Sequence, residues 1–115
     1  MSTKAIAFPK GKKIEDDFSV NEVKIMGRFS GPASEKDLPS GEKVVELRVI
    51  VTRDDREGVD TISVAVWKSM LRRRALTLQD NQWIVVKGVL RRRFWKSPTG
   101  LASRYQVEAR DLARI

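Results

Sequence analysis

The sequence predicts an all-β fold: a five-stranded barrel with a single helix between its third and fourth strands. Three observations predict it. Five stretches alternate apolar and polar residues with the period of two that a half-buried strand requires. Only one stretch, residues 69–80, spaces its apolar residues for a helix, so the strict helix–strand alternation of a doubly wound sheet is missing. At 115 residues, 41% of them hydrophobic, the chain can fill one domain core and is too apolar to stay disordered.

Residues 1–19 show no periodicity and read as a flexible leader, with Lys10, Lys12 and Lys13 free to touch phosphates. The folded domain is expected over 20–115. Its first strand, 20–29, sets Val23, Ile25, Gly27 and Phe29 on one face and Lys24, Met26 and Arg28 on the other. Residues 30–43, rich in Gly, Pro and Ser, read as a loop. In the second strand, 44–53, Val45, Leu47, Val49 and Val51 point inward while Glu46 and Arg48 point out. A charged turn, 54–59, leads to the third strand, 60–67. There Ile62, Val64 and Val66 face in, which leaves Trp67 outside with Thr61, Ser63 and Ala65. The helix, 69–80, opens on Ser69 as its cap and carries Leu71, Ala75 and Leu78 as an apolar stripe. The fourth strand, 83–95, runs to a turn at Pro98-Thr99-Gly100. The last, 103–109, lines up Tyr105, Val107 and Ala109. This element order is the plan of an OB-fold barrel.

The fourth strand, WIVVKGVLRRRFW, is the most informative stretch. Alternation puts Lys87, Arg91, Arg93 and Trp95 on one face and Ile84, Val86 and Leu90 on the other. One side offers cations and an indole to solvent. Cations attract a phosphate backbone, and a flat ring stacks on an unpaired base, which is the chemistry of single-stranded nucleic-acid binding. The charge distribution agrees. The net charge is +8, and residues 61–115 alone hold 12 basic against 3 acidic residues. A basic half beside a mildly acidic half gives a directed footprint for a polyanion.

Composition excludes other classes. With no cysteine and no histidine, disulfides, thiolate metal sites and the commonest general base are all missing. The acids cluster only at Asp54, Asp55, Glu57 and Asp60, inside a charged turn. A metal-dependent nuclease would need them gathered on a scaffold, so no enzyme and no cofactor is expected. No apolar run is long enough to span a bilayer, and the N-terminus lacks a signal-peptide core. A cytoplasmic, nucleoid-associated location is expected.

Four pieces, in order, make the chain similar to the bacterial single-stranded DNA-binding protein family. Asn21-Glu22-Val23-Lys24-Ile25-Met26-Gly27-Arg28 resembles the family's opening strand, and Pro39-Ser40-Gly41 its turn before the second strand. Val64-Ala65-Val66-Trp67 resembles its third strand, and Gly88-Val89-Leu90-Arg91-Arg92-Arg93-Phe94-Trp95 its Gly-x-Leu-x-x-Arg-x-Trp/Tyr stretch. The resemblance implies base stacking on Trp67 and Trp95 and phosphate contacts from Arg91 and Arg93. It also implies partners: single-stranded DNA, and other copies of the chain, as a tetramer ahead of a dimer. Family members often have aromatics near the end of strand two and the start of strand three; Arg53-Asp54-Asp55 and Asp60-Thr61-Ile62 supply none. They also continue into a tail ending in acidic and aromatic residues. No such segment precedes Ile115, which points away from a hub role.

The candidate nucleic-acid-binding residues are therefore Trp67, Trp95, Arg91, Arg93, Lys87, Arg48 and Arg53. Phe94 is expected in the barrel, and Arg72, Arg73 and Arg74 are expected to solvate the helix. Outward-leaning Met26, Trp83, Val85 and Val89 are apolar enough for a subunit interface. Two other functions fit the same residues: a primosome-type accessory protein that bridges a helicase and DNA, and an RNA-binding OB module, since stacking and phosphate contacts alone do not read a 2′-hydroxyl.

Overall fold

A computed structural model describes Ile6–Ala7, Lys13–Ile14 and residues 16–115. Most of the predicted leader, with Lys10 and Lys12, lies outside the described residues. Within that stretch β1 (Ile6–Ala7) pairs with β2 (Lys13–Ile14). The remaining elements are β3 (Val23–Asp37), β4 (Lys43–Thr52), β5 (Val59–Val66), α1 (Ser69–Leu76), β6 (Trp83–Ser97) and β7 (Gly100–Arg114). The last five strands close into a barrel in the order β3-β4-β5-β7-β6, sealed by antiparallel pairing of β6 with β3. The fold is the expected OB barrel, with its helix between the third and fourth barrel strands.

Alternation fills the core as the sequence implies. Val45, Leu47 and Val49 of β4, Val64 and Val66 of β5, and Ile84 and Val86 of β6 are buried together with Phe29, Val107, Ala109 and Leu112. Leu71 and Ala75 turn the helix onto this cluster. No helix among the described residues is long and apolar enough to cross a membrane.

Four local expectations need correction. The first strand does not stop at Phe29 but runs to Asp37; its ladder with β4 breaks only between Ser30 and Ser34. Gly31-Pro32 sits in that break, where a bulge tolerates a residue that cannot donate to the ladder. Only Leu38 to Glu42 turn, tied by the Leu38 N–H to the Glu42 carbonyl at 2.8 Å. The helix ends at Leu76, and its N-cap is Lys68 without a side-chain cap bond, so Ser69 does not serve. Arg72 and Arg74 do not merely solvate the helix. Arg72 donates to the Trp67 carbonyl and Arg74 to the Leu112 carbonyl, stapling α1 to the barrel. Last, Leu90 and Phe94 are exposed rather than packed inside.

The reason for the last correction shapes the whole site. β3 accompanies β6 only from Trp83 to Gly88. β5 meets β7 only at Val64 opposite Val107 and Ala65 opposite Glu108. Beyond those points β6 and β7 pair with each other alone, down to Ser97 opposite Gly100. The barrel thus extends into a two-stranded arm. At its base Gly88 lies so close to β7 that a Cβ there would stand 1.9 Å from the Glu108 carbonyl oxygen. Arg110 is the extra residue of a bulge opposite the Lys87–Gly88 step. Asn21 pins the same place, its amide accepting from the Leu90 N–H and donating to the Leu90 carbonyl, both at 2.8 Å.

Candidate nucleic-acid interface

The register of the arm decides which side chains meet. From Gly88 to Ser97 it is unbroken, so alternation holds and Arg91, Arg93 and Trp95 share one face. Their partners in β7 are Gln106, Arg104 and Ala102 respectively. This face leans toward the outer surfaces of β4 and β5. Gln106, the one buried polar residue among the described residues, donates its side-chain amide to Ser63 Oγ at 3.1 Å and to Glu46 at 3.4 Å. Gln106 is thus the joint between arm and barrel.

Aromatics and cations interleave across this joint. The Arg93 guanidinium lies 5.0 Å from the centre of the Trp67 ring, and that of Arg104 lies 5.8 Å from the Trp95 ring. Both are within cation–π range. Lys36, Glu46, Arg93, Phe94, Trp95, Arg104 and Gln106 line one open concavity. Trp67 is half-buried, and Trp95 is 45% exposed. A ring stacked on a guanidinium on one side still offers its edge or other face to a ligand.

One carboxylate sits among the cations. Glu46 accepts from Lys36 at 2.9 Å and from Arg104 at 2.7 Å. Burial pushes its carboxyl up, but the hydrogen bonds and charges of Lys36 and Arg104 outweigh that and hold its pKa below the ordinary glutamate value.

The other sequence-nominated residues fall at various distances from this centre. Arg48 is exposed on β4, with Ser63 as its neighbour in the ladder. Arg91 is next to Gln106 in register and 3.9 Å from Glu108, a loose pair that leaves the guanidinium exposed. Arg53 lies at the tip of the β4–β5 hairpin and donates to Asp60 at 3.0 Å. Lys87 is opposite Lys24 and Asp111, and borders a separate hollow with Asn21, Val89 and Arg110. The concavity therefore gathers Arg93 and Trp95 with Trp67 at its edge, while Lys87 and Arg53 stand apart.

Sequence reasoning missed Lys36, Glu46, Arg104 and Gln106 as parts of this surface. Two of them were within reach. Counting back from the two-residue turn at Pro98-Thr99 places Arg104 opposite Arg93, and Gln106 then falls on the same face. Lys36 was hidden by reading 30–43 as a loop.

Residues 20–115 match a family model described as the single-strand binding protein family. Among solved structures the chain is similar to a Plasmodium falciparum SSB in complex with ssDNA, at 18% identity and a TM-score of 0.70. The match covers 87% of this chain and 98% of that one. At that identity the likeness is one of fold. No curated protein matches the chain.

Proposed function

The chain belongs to the single-strand binding protein family, and from that premise we propose that it binds single-stranded DNA with little sequence preference. Bases stack on Trp67 and Trp95, and the backbone is held by Arg91, Arg93, Arg104, Lys36 and Arg48. Arg53 and Lys87, which lie off the concavity, contact the strand where it enters and leaves. The observation that carries this reading is the interleaving of two indoles with two guanidinium groups along one open face. Every base has a π-face and every nucleotide a phosphate, so such a surface is sequence-tolerant. Duplex DNA hides the base faces. No step in this function breaks a covalent bond.

The binding unit is a homo-oligomer joined through the outer faces of β3 and β6. Met26 stands opposite Val85 there, and Met26 and Trp83 are each 53% exposed. Among the described residues nothing covers this apolar surface, as expected of an interface between subunits.

Titrating tryptophan fluorescence with oligo-dT and with duplex of equal length tests the binding reading. Quenching at low salt by oligo-dT alone is expected. Equal affinity for duplex, or no quenching, would refute it. Including an RNA oligomer of the same sequence separates a DNA binder from an RNA-binding module.

A further inference from the structure

We propose that the β6–β7 arm carries a second nucleic-acid-binding surface, on the face opposite Trp95, built by Phe94, Arg92 and Tyr105. A long single strand then wraps around the arm instead of ending on its inner face. This inference rests on the single-strand reading above and deepens it.

Alternation along the arm sends Leu90, Arg92, Phe94 and Lys96 of β6 to one side, where they meet Val107, Tyr105, Ser103 and Leu101 of β7. The Arg92 guanidinium lies 5.2 Å from the Phe94 ring centre and 5.4 Å from that of Tyr105. It is fixed by two hydrogen bonds to Ser103 Oγ, at 3.0 and 3.3 Å. The result is a short ladder of ring, cation and ring. Both rings remain open to solvent, Phe94 at 59% and Tyr105 at 61% exposure. No other described strand pairs with the arm here, so nothing in the described chain covers it.

Charge selects the occupant. Residues 91–107 hold no acidic residue, and of their five basic residues Arg92 and Lys96 point to this face. Two copies of this face brought together would set Arg92 and Lys96 against their own kind, whereas a polyanion meets no repulsion. Exposed aromatics beside cations suit unpaired bases, whose faces stack on rings while phosphates meet the guanidinium. Continuity points the same way. Phe94 also borders the first concavity and adjoins Trp95, so the two surfaces meet at the edge of the arm and a strand can pass from one to the other.

The test compares wild type with Arg92→Ala/Tyr105→Ala, two residues that do not line the inner concavity, using labelled oligo-dT of two lengths. One OB fold covers roughly 4–16 nucleotides, so an oligomer of about 8 fits the inner face and one of about 30 must use more surface. The double variant should bind the short oligomer within about twofold of wild type, and the long one about tenfold or more weakly. Trp95→Ala should weaken both lengths. The replaced side chains are exposed, so the variant's melting temperature should stay close to that of wild type. Equal affinity of the double variant and wild type for the long oligomer overturns the proposal. A drop in assembly mass of the double variant with unchanged DNA binding also overturns it, and means that a second copy covers this face. Failure of wild type to bind either length refutes the single-strand reading itself and takes this inference with it.

Discussion

Glu46 sets how much positive charge the inner face presents. It holds Lys36 and Arg104 at 2.9 and 2.7 Å, the same two cations that flank the concavity beside Trp95. A phosphate arriving there competes with a carboxylate already in place. Glu46→Gln should release both cations, strengthen oligo-dT binding severalfold, and steepen the log–log salt dependence by about 0.7 for each extra phosphate engaged. An unchanged salt slope would mean that neither cation meets the backbone. The same carboxylate carries a pH dependence of known sign. Its pKa in the folded protein is lowered, so its contribution to stability is full above the ordinary glutamate value. That contribution is lost as pH falls through the lower folded value. Acid titration of melting temperature in wild type and Glu46→Gln should show the wild type losing more stability over that window.

At the scale of the element, the β6–β7 arm explains both what the sequence revealed and what it concealed. The face shared by Arg91, Arg93 and Trp95 was legible because a period of two needs no knowledge of neighbours. A bulge between Arg91 and Trp95 would have broken it, but the one bulge on this ladder lies at Lys87–Gly88, with the extra residue in β7. The fate of Leu90 and Phe94 was not legible. Their alternation matches that of buried Ile84 and Val86, and only the departure of β3 at Gly88 tells that the barrel has ended. Long-range pairing of that kind leaves no local trace. For the same reason Arg74 reads as a solvating residue although it bonds to the carbonyl of Leu112 in β7, whereas Arg72 reaches back only to the Trp67 carbonyl ahead of its own helix. These contacts change the design of a charge experiment. Replacing Arg91 and Arg93 together by Ala should reduce the salt slope of single-strand binding by roughly 1.4, two phosphate contacts at about 0.7 each. The sound control is Arg73→Ala, which is exposed on α1; replacing Arg72 or Arg74 would loosen the helix. A double variant with the wild-type slope would remove both arginines from the path of the backbone.

At the scale of the whole molecule, function depends on how the two kinds of surface are divided. The inner and outer faces of the arm are cationic and aromatic, whereas the β3–β6 sheet face is apolar around Met26, Trp83 and Val85. In the ladder Arg28 stands opposite Trp83 and Met26 opposite Val85, so the apolar residues form a block near the start of β6. That block lies at the far end of β6 from Trp95. Subunits can therefore join through it without covering the concavity, and each copy presents its own arm. Linking several such sites raises the local concentration of the next site for a strand already held, so long strands gain affinity that short ones cannot. Met26→Glu/Trp83→Glu places charges on both sides of a self-complementary contact, where like charges meet like. The variant should sediment as a smaller species than wild type and keep wild-type affinity for an oligomer short enough for one subunit. For long oligo-dT its affinity should fall, because the strand can no longer pass between copies. A monomeric wild type in sedimentation would dismiss the interface. A smaller variant that still bound long DNA like wild type would show that one chain, with both faces of its arm, suffices to hold the strand.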